Sequence, residues 1–557
     1  MIPWYENAVF YHIYPFGLCG VPKQNDGTYE GHHFDKLNMW ADHVKKIGCN
    51  AIYIGPLFES VGHGYETTDY KMVDRRLGTN AEFADYVRRC HEKGIKVIVD
   101  GVFNHTGREF FAFKDIKQNR ENSRYKDWYC NVNFWGNNEY DDHFSYENWG
   151  GYNLLVKLNQ KNPEVKDYIY DVIRFWVKEF DIDGIRLDAA DVLDFDFMKG
   201  IRHVANEVKP EFWLMGEVIH GDYGRWANGD MLHSVTNYEL HKGLYSGHND
   251  HNYFEIAHTV QRLQGLVGNV KLYTFVDNHD VARIYSKLNN KAHLYPVTML
   301  LYGLPGVPSI YYGSEFSIDG EKQKFSDDNL RPCLELSDYQ NYYTDNEITQ
   351  LIMKLGRIYQ QYPELSTGRY QQLHLTNRQF AFARIKDDTN TAVVVAVNND
   401  DNPADLWVKL PINANRAVDL LKMKEKTTEE LAAEAKEAEQ RLAQQAEQRK
   451  AEVLQTAKEI IAKAEEIRTQ AYSAEQIAGQ LGTPGKENET VAVANALITS
   501  AKELIGLSEQ MMGSRSNEAG TGASGVFDED CKVTLENGSI HFVMSPNKGT
   551  MIYLCNE

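Results

Sequence analysis

Along the first 360 or so residues, short apolar runs alternate with stretches whose apolar positions recur at helical spacing. Ala8 to Tyr14 reads as a buried strand, Phe34 to Ile47 as a helix, and AIYIGPLFES, starting at Ala51, as a second strand that ends in a Gly-Pro loop. A helix over Ala81 to Lys93 leads into GIKVIVDGVFNHT, a third strand. Further strands are expected at Gly184 to Asp188, Phe212 to Gly216, Ser234 to Thr236, Leu272 to Val276 and Ser309 to Tyr312. Helices are expected at Asn162 to Phe180, with Pro163 in its first turn, and at Glu347 to Gln361. Strands that alternate with helices pair in parallel, and about eight such units is the count of a closed (β/α)8 TIM barrel.

The rhythm breaks twice. Thr106 to Lys157 is rich in Asn, Asp and aromatic residues and too long for a plain loop, so it predicts a small inserted domain at the barrel's active face. After the barrel, Phe380 to Ile385, Thr391 to Asn398, Leu406 to Leu410, Ser539 to Met544 and Thr550 to Leu554 predict a C-terminal antiparallel β-sandwich. Inside that domain the composition shifts to Ala, Glu, Gln and Lys. Leu442, Ala446, Val453, Ala457, Ile460, Ala464 and Ile467 recur at helical spacing, as do Ala494, Leu497, Ile498, Ala501, Leu504 and Ile505. Pro484 and Gly485 mark a turn between the two runs, and SNEAGTGASG (Ser516 to Gly525) reads as a flexible exit. The expected division is a barrel over 1–105 and 158–365, an inserted domain over 106–157, a β domain over 366–421 and 526–557, and a helical bundle or hairpin over 422–525.

Charge narrows the partners. A formal net charge of -20 argues against nucleic acid and anionic membrane and favours a neutral ligand or a cation. The seven cysteines are scattered, odd in number and lack metal spacing, so they read as reduced thiols. The N-terminal MIPWYENAVFYHIYPFG lacks the pattern of a signal peptide and no run is long enough to span a bilayer; a cytoplasmic protein is expected.

Two of the strands end abruptly in carboxylates: GIRLDAAD (Gly184 to Asp191) and LMGEVIH (Leu214 to His220). A barrel strand whose C-terminal end opens into a site looks like this. Cleaving a glycosidic bond needs one protonated carboxyl to release the leaving oxygen and one ionised carboxylate to attack or steady the oxocarbenium-like sugar. Asp188 and Glu217 are the candidates.

The ordered set of motifs resembles the α-amylase family of glycoside hydrolases. DGVFNH (Asp100 to His105), GIRLDAAD, GEVIH and FVDNHD (Phe275 to Asp280) resemble its four signatures, flanked by HGYETTDY, VKLN and GVPSIYYGSE. The resemblance covers Met1 to Leu421 and Val526 to Glu557. It implies that Asp188 is a nucleophile kept ionised by Arg186, and that Glu217 is the general acid and then base, its pKa raised in a site made partly dry by Leu214 and Met215. Asp280 would bind sugar hydroxyls, His105 and His279 would donate to the sugar, Tyr65 would stack on the ring, and Arg331 would contact the next sugar. Asp100 would orient Arg186.

No cofactor is implied for this chemistry. Asn104 is a calcium ligand in many relatives, but Val192 stands where many calcium-binding relatives carry a histidine, so calcium is doubtful and the metal content stays open. The finer resemblance, from GEVIH with GDYGRW, VTNYELHKGLY and KLNQKNPEVKDYIYDVIRFWV, is to the intracellular cyclomaltodextrinase and neopullulanase-like branch, whose members often carry an extra N-terminal β domain that is not expected here. The implied reaction is retaining hydrolysis of α-1,4 links in an α-glucan, with glucosyl transfer and α-1,6 cleavage as alternatives. The helical insertion resembles nothing in the family. It reads first as an Ala-rich spacer, such as an engineered fusion, and second as a module that binds a protein or self-associates, with the barrel its carrier.

Overall fold

The computed structural model describes residues 3–324, 326–423, 428–481, 487–510 and 531–556. Eight parallel strands form the barrel: β1 Phe10–Ile13, β2 Ala51–Ile54, β3 Lys96–Gly101, β4 Gly184–Leu187, β5 Trp213–Gly216, β6 Ser234–Val235, β7 Tyr273–Phe275 and β8 Val307–Tyr311. Their order is β6-β5-β4-β3-β2-β1-β8-β7, and a parallel bridge from Thr236 to Tyr273 closes the ring. Inward side chains, among them Phe10, Tyr53, Ile98, Trp213, Met215 and Phe275, fill the interior, so it is a packed core and not a channel.

Local chemistry sets the outer helices. Helix α1 spans Phe34–Lys46 and α2 Asn80–Glu92, the latter started by a capping box between Thr79 and Glu82. Helix α3, Pro163–Phe180, takes Asn162 as its cap, with the side chain accepting from Glu164 N at 2.9 Å. Gly184 opens β4 because a Cβ there would lie 2.4 Å from the Trp213 carbonyl oxygen. The sequence reading places these elements to within a residue or two. It gives no sign of helices α4 (Phe195–Val208), α5 (Tyr253–Val267) and α6 (Leu294–Gly303), while α7, Glu347–Gln361, falls where the pattern puts it.

The excursion after β3 is a small domain in which His105–Gly107 pairs antiparallel with Tyr152–Lys157, itself paired to Asn148–Trp149. The pairing pulls His105 into the sheet. The C-terminal domain is a sandwich. One sheet contains β9 (Arg369–Leu375), β10 (Gln379–Lys386), β11 (Thr391–Asn398) and β13 (Arg416–Asp419); the other contains β12 (Ala404–Lys409), β14 (Thr534–Glu536) and β15 (Ser539–Met544). Strand β16, Gly549–Cys555, joins β11 to β13 in the larger sheet. A shared apolar layer, with Ala383, Val394, Ile540 and Ile552, lies between the two sheets.

The chain divides into two compact units, Met1–Met423 with Phe527–Glu557, and Lys424–Val526. The second holds two long helices, α8 (Thr428–Leu481) and α9 (Glu487–Gln510). The Pro484–Gly485 turn, the Ser516 to Gly525 segment and the side chains of Leu442, Ala446 and Leu504 lie outside the described residues.

Candidate active site

Parallel register brings the two carboxylate-ended strands side by side. Arg186 sits opposite Asp100 on β3 and Met215 on β5, and Leu187 opposite Gly216, so Asp188 and Glu217 leave neighbouring strands at the same level. The backbone repeats the link: Asp188 N donates to Gly101 O at 3.1 Å and Glu217 N to Leu187 O at 2.9 Å. Directly after Asp188, Ala189 has φ +46°, an uncommon conformation for a residue with a Cβ. Its N–H donates to Glu217 Oε2 at 3.1 Å, which ties that local strain to the position of the Glu217 carboxyl.

Arg186 is the hub. Nη1 donates to Asp100 Oδ1 and to Asp188 Oδ1, both at 2.8 Å, and Nη2 pairs with Glu217 Oε2 at 2.8 Å. Tyr53 and Tyr65 hydroxyls hold Asp100 Oδ2 at 2.8 and 3.2 Å. Three carboxylates thus share one buried cation. Burial pushes the Asp188 carboxyl well above the usual range; Arg186 opposes this, and repulsion from Glu217 and Asp100 adds to it. Arg186 favours the ionised form of Asp188, but its charge is divided among three partners.

Asp280, just past β7, is set the opposite way. His279 Nε2 lies 3.0 Å from its Oδ2 and Arg331 Nη2 lies 3.0 Å from its Oδ1. Burial opposes ionisation, but the charges of His279 and Arg331 outweigh it and hold Asp280 well below the usual carboxylate range. One pocket therefore contains two carboxyls, Asp188 and Asp280, driven apart in proton affinity.

The remaining expected residues are all nearby, in roles that differ in detail. The Tyr65 hydroxyl oxygen lies 2.5 Å from His279 Nε2, and the two rings stack. His105 is buried with Nε2 directed to the Tyr65 carbonyl at 3.1 Å, and burial pushes its pKa down to about 3, so it is a neutral brace behind Tyr65. Arg331 binds Asp280 and Asp327, donates through Nε to the His279 carbonyl at 3.0 Å, and lies over the Tyr14 ring.

Sequence reasoning passes over Tyr238, whose hydroxyl lies 3.4 Å from Glu217 Oε1 and receives Asn278 Nδ2 at 3.1 Å. Asn278 lies inside FVDNHD and Tyr238 inside VTNYELHKGLY, so both were accessible as motif positions, but neither motif was read for them. His12 is missed too: it is buried, stacks on Tyr53 at 4.2 Å and stands edge-on to His279 at 5.1 Å.

Asn104 is fully buried, but its Oδ1 receives the Gln160 amide at 3.5 Å, and Gln160 Oε1 accepts from Asp194 N at 2.6 Å. A donor thus meets the oxygen a cation would need, the Val192 side chain offers no ligand, and among the described residues no three His, Cys, Asp or Glu cluster as a metal site. These residues do not fit calcium.

A barrel of this topology, with acidic groups just past the ends of β4, β5 and β7, is that of a glycosidase. Residues 13–357 match the model of the alpha amylase catalytic domain, and the chain belongs to that family. A cyclomaltodextrinase of Thermoanaerobacter pseudethanolicus is 31% identical over 446 residues, 76% of this chain and 75% of that protein. A solved cyclomaltodextrinase superposes with TM-score 0.66 at 28% identity, covering 75% of this chain and 73% of that one. An acarbose-soaked debranching enzyme of Nostoc punctiforme also superposes with TM-score 0.66 at 28% identity, covering 75% and 95%.

Proposed function

We propose that the chain is a retaining α-glucan hydrolase that cleaves α-1,4-glucosidic bonds of maltooligosaccharides, cyclodextrins or starch fragments. The observation that supports this reading best is the joint seating of Asp188 and Glu217 on Arg186 at the ends of adjacent strands. In the reaction, an Asp188 oxygen attacks the anomeric carbon while Glu217 gives its proton to the departing glycosidic oxygen, so one C–O bond forms as another breaks. Water then attacks the glycosyl-enzyme, Glu217 takes the water's proton, and Asp188 leaves with the configuration retained. Asp280, ionised beside His279 and Arg331, binds sugar hydroxyls and favours the distorted ring. Arg186 holds both reacting carboxyls in place, and Tyr65 offers its ring to the sugar.

The chemistry needs no cofactor, since the two carboxyls and water balance it. A cytoplasmic location belongs to the same proposal, in keeping with cysteines that are scattered and odd in number. The helical unit is proposed to be an association module.

The test is product analysis with maltoheptaose, β-cyclodextrin and pullulan beside a Glu217→Gln control. Short α-configured sugars that vanish in the control are expected, and the preferred substrate fixes the branch. No turnover on any of the three by correctly folded protein would overturn the hydrolase reading.

A further inference from the structure

The ring of His12 meets three supports of the site that come from separate strands. It lies on β1 two residues after Phe10, so both side chains point into the barrel, and parallel register sets it level with Tyr53 on β2 and Tyr311 on β8. His12 stacks on Tyr53 with ring centroids 4.2 Å apart and planes at 20°, and meets Tyr311 at 4.9 Å and 46°. Its third neighbour is His279, just past β7, edge-on at 5.1 Å and 88°.

Each of these rings holds a different part of the machinery. Tyr53 donates to Asp100 Oδ2 at 2.8 Å, and Asp100 in turn holds Arg186. Tyr311 donates to the Leu330 carbonyl at 2.8 Å, which sets the backbone one residue before Arg331. His279 pairs through Nε2 with Asp280 Oδ2 at 3.0 Å. The Tyr65 hydroxyl, close to both Asp100 and His279, links the Arg186 hub to the Asp280 arm by polar contacts, whereas His12 links them by packing. Burial pushes the His12 pKa well down, and the charges of His279 and Arg186 press the same way, so the ring is neutral. Its Nε2 is buried and meets no hydrogen-bond partner among the described residues. The ring therefore acts through its faces and edge, in an interior packed closely enough that a gap there is felt by every neighbour.

We infer that His12 is a positioning residue for the reaction: its ring is the wedge that fixes Asp280 relative to Asp188 and Glu217 on Arg186. The inference rests on the hydrolase reading above. Asp188 and Glu217 make and break the bonds while Asp280 favours the distorted sugar, so their relative placement matters most in the transition state and belongs to kcat.

The experiment compares His12→Ala and His12→Phe with the parent on maltoheptaose, beside melting curves. His12→Ala opens a gap against all three rings and is expected to lower kcat about 30-fold, with KM changed less than about threefold. His12→Phe restores a ring without the nitrogens and is expected to recover kcat to within about fivefold of the parent. A second readout needs no turnover: in the sugar-free protein the imidazole NMR signals of His279, identified by their loss in His279→Gln, are expected to shift in His12→Ala and to return toward the parent positions in His12→Phe. An unchanged kcat in His12→Ala, a loss carried by KM alone, a His12→Phe variant as slow as His12→Ala at a parent-like melting temperature, or His279 signals that ignore the substitution would overturn it. A parent that turns over no α-glucan would count against the hydrolase reading, while the His279 signals would still judge the wedge.

Discussion

Arg331 Nη2 and Asp280 Oδ1 are paired at 3.0 Å, and Nε of the same guanidinium holds the carbonyl of His279, so one side chain fixes both neighbouring residues of the β7 exit. Arg331 approaches from the stretch after β8, which makes it a clamp between two loops. Removing it with Arg331→Gln is expected to lower kcat about 100-fold through misplacement of Asp280 and His279, with little change in thermal stability. Steady-state kinetics beside a melting curve checks this; an unchanged kcat with a raised KM would instead make Arg331 a plain sugar contact.

Asp100 pushes the Asp188 carboxyl up by charge repulsion, behind the larger effect of burial. In the proposed reaction Asp188 must be ionised to attack, so its proton affinity sets the acid limb of kcat/KM against pH. Taking away the neighbouring negative charge lowers that affinity. Asp100→Asn is therefore expected to move the acid limb to lower pH, while the loss of an Arg186 anchor lowers the maximum rate. A limb that stays still or moves up would show that Asp188 does not set it.

How much of this was legible beforehand differs by element, for physical reasons. Strands β3, β4 and β5 are buried on both faces and read as short apolar runs, interrupted in β4 only by Arg186, that stop at Asp100, Asp188 and Glu217, so both the fold and the acidic groups are visible in one dimension. Helix α6 is buried nearly all round, and its apolar run carries no amphipathic period to reveal it. The division of Arg186 among three carboxylates is not visible either, because it depends on register between strands far apart in sequence. His105 shows the limit of a motif: its position was legible, but its turn toward the Tyr65 carbonyl comes from the small domain's sheet.

The Asn104–Gln160 amide contact gives a prediction on metal removal. Since Asn104 Oδ1 already receives a side-chain donor, prolonged dialysis against a chelator is expected to leave the melting temperature and the activity unchanged. Gln160→Ala, by contrast, strips both Asn104 and the Asp194 N–H of a partner and is expected to cost about 1–2 kcal/mol in denaturant unfolding. A chelator-induced drop in melting temperature, restored by calcium, would reverse this assignment.

Acid stability follows from histidines that are buried neutral. Burial pushes His105, His233, His241 and His248 down to about 3, and His248 has a partner at each ring nitrogen, the Leu244 carbonyl on Nδ1 and the Tyr253 hydroxyl on Nε2. Unfolded, each takes up a proton near pH 6.5. A folded pKa below the unfolded one means that the unfolded chain binds more protons in between, so stability is full above about pH 6.5 and falls continuously toward pH 3. Melting temperature against pH should show that slope well above the carboxylate range, and His248→Gln should make it shallower. A flat profile down to pH 5 would contradict the neutral assignment.

At the opposite end of β4 from the site, Asp183 is buried with one carboxylate serving four donors: His91 Nε2 at 2.6 Å, Val97 N at 2.9 Å, Lys209 Nζ at 3.0 Å and Lys96 Nζ at 3.1 Å. Burial alone would raise its pKa, but His91, Lys209 and Lys96 together hold it well below the ordinary aspartate value. The sign is then fixed: stability from this group is present above the unfolded pKa near 3.9 and is lost as pH falls below it toward the folded value. Asp183→Asn keeps the shape but leaves the cations without their charge. It is expected to cost about 3 kcal/mol at neutral pH, read as a lower urea midpoint with an unchanged slope, and to cost progressively less as the pH is lowered below about 4. Because the substitution lies at the closed end of the barrel, the kcat of the folded variant at moderate temperature should match the parent; a large fall in kcat without a fall in midpoint would place Asp183 in the catalytic machinery instead.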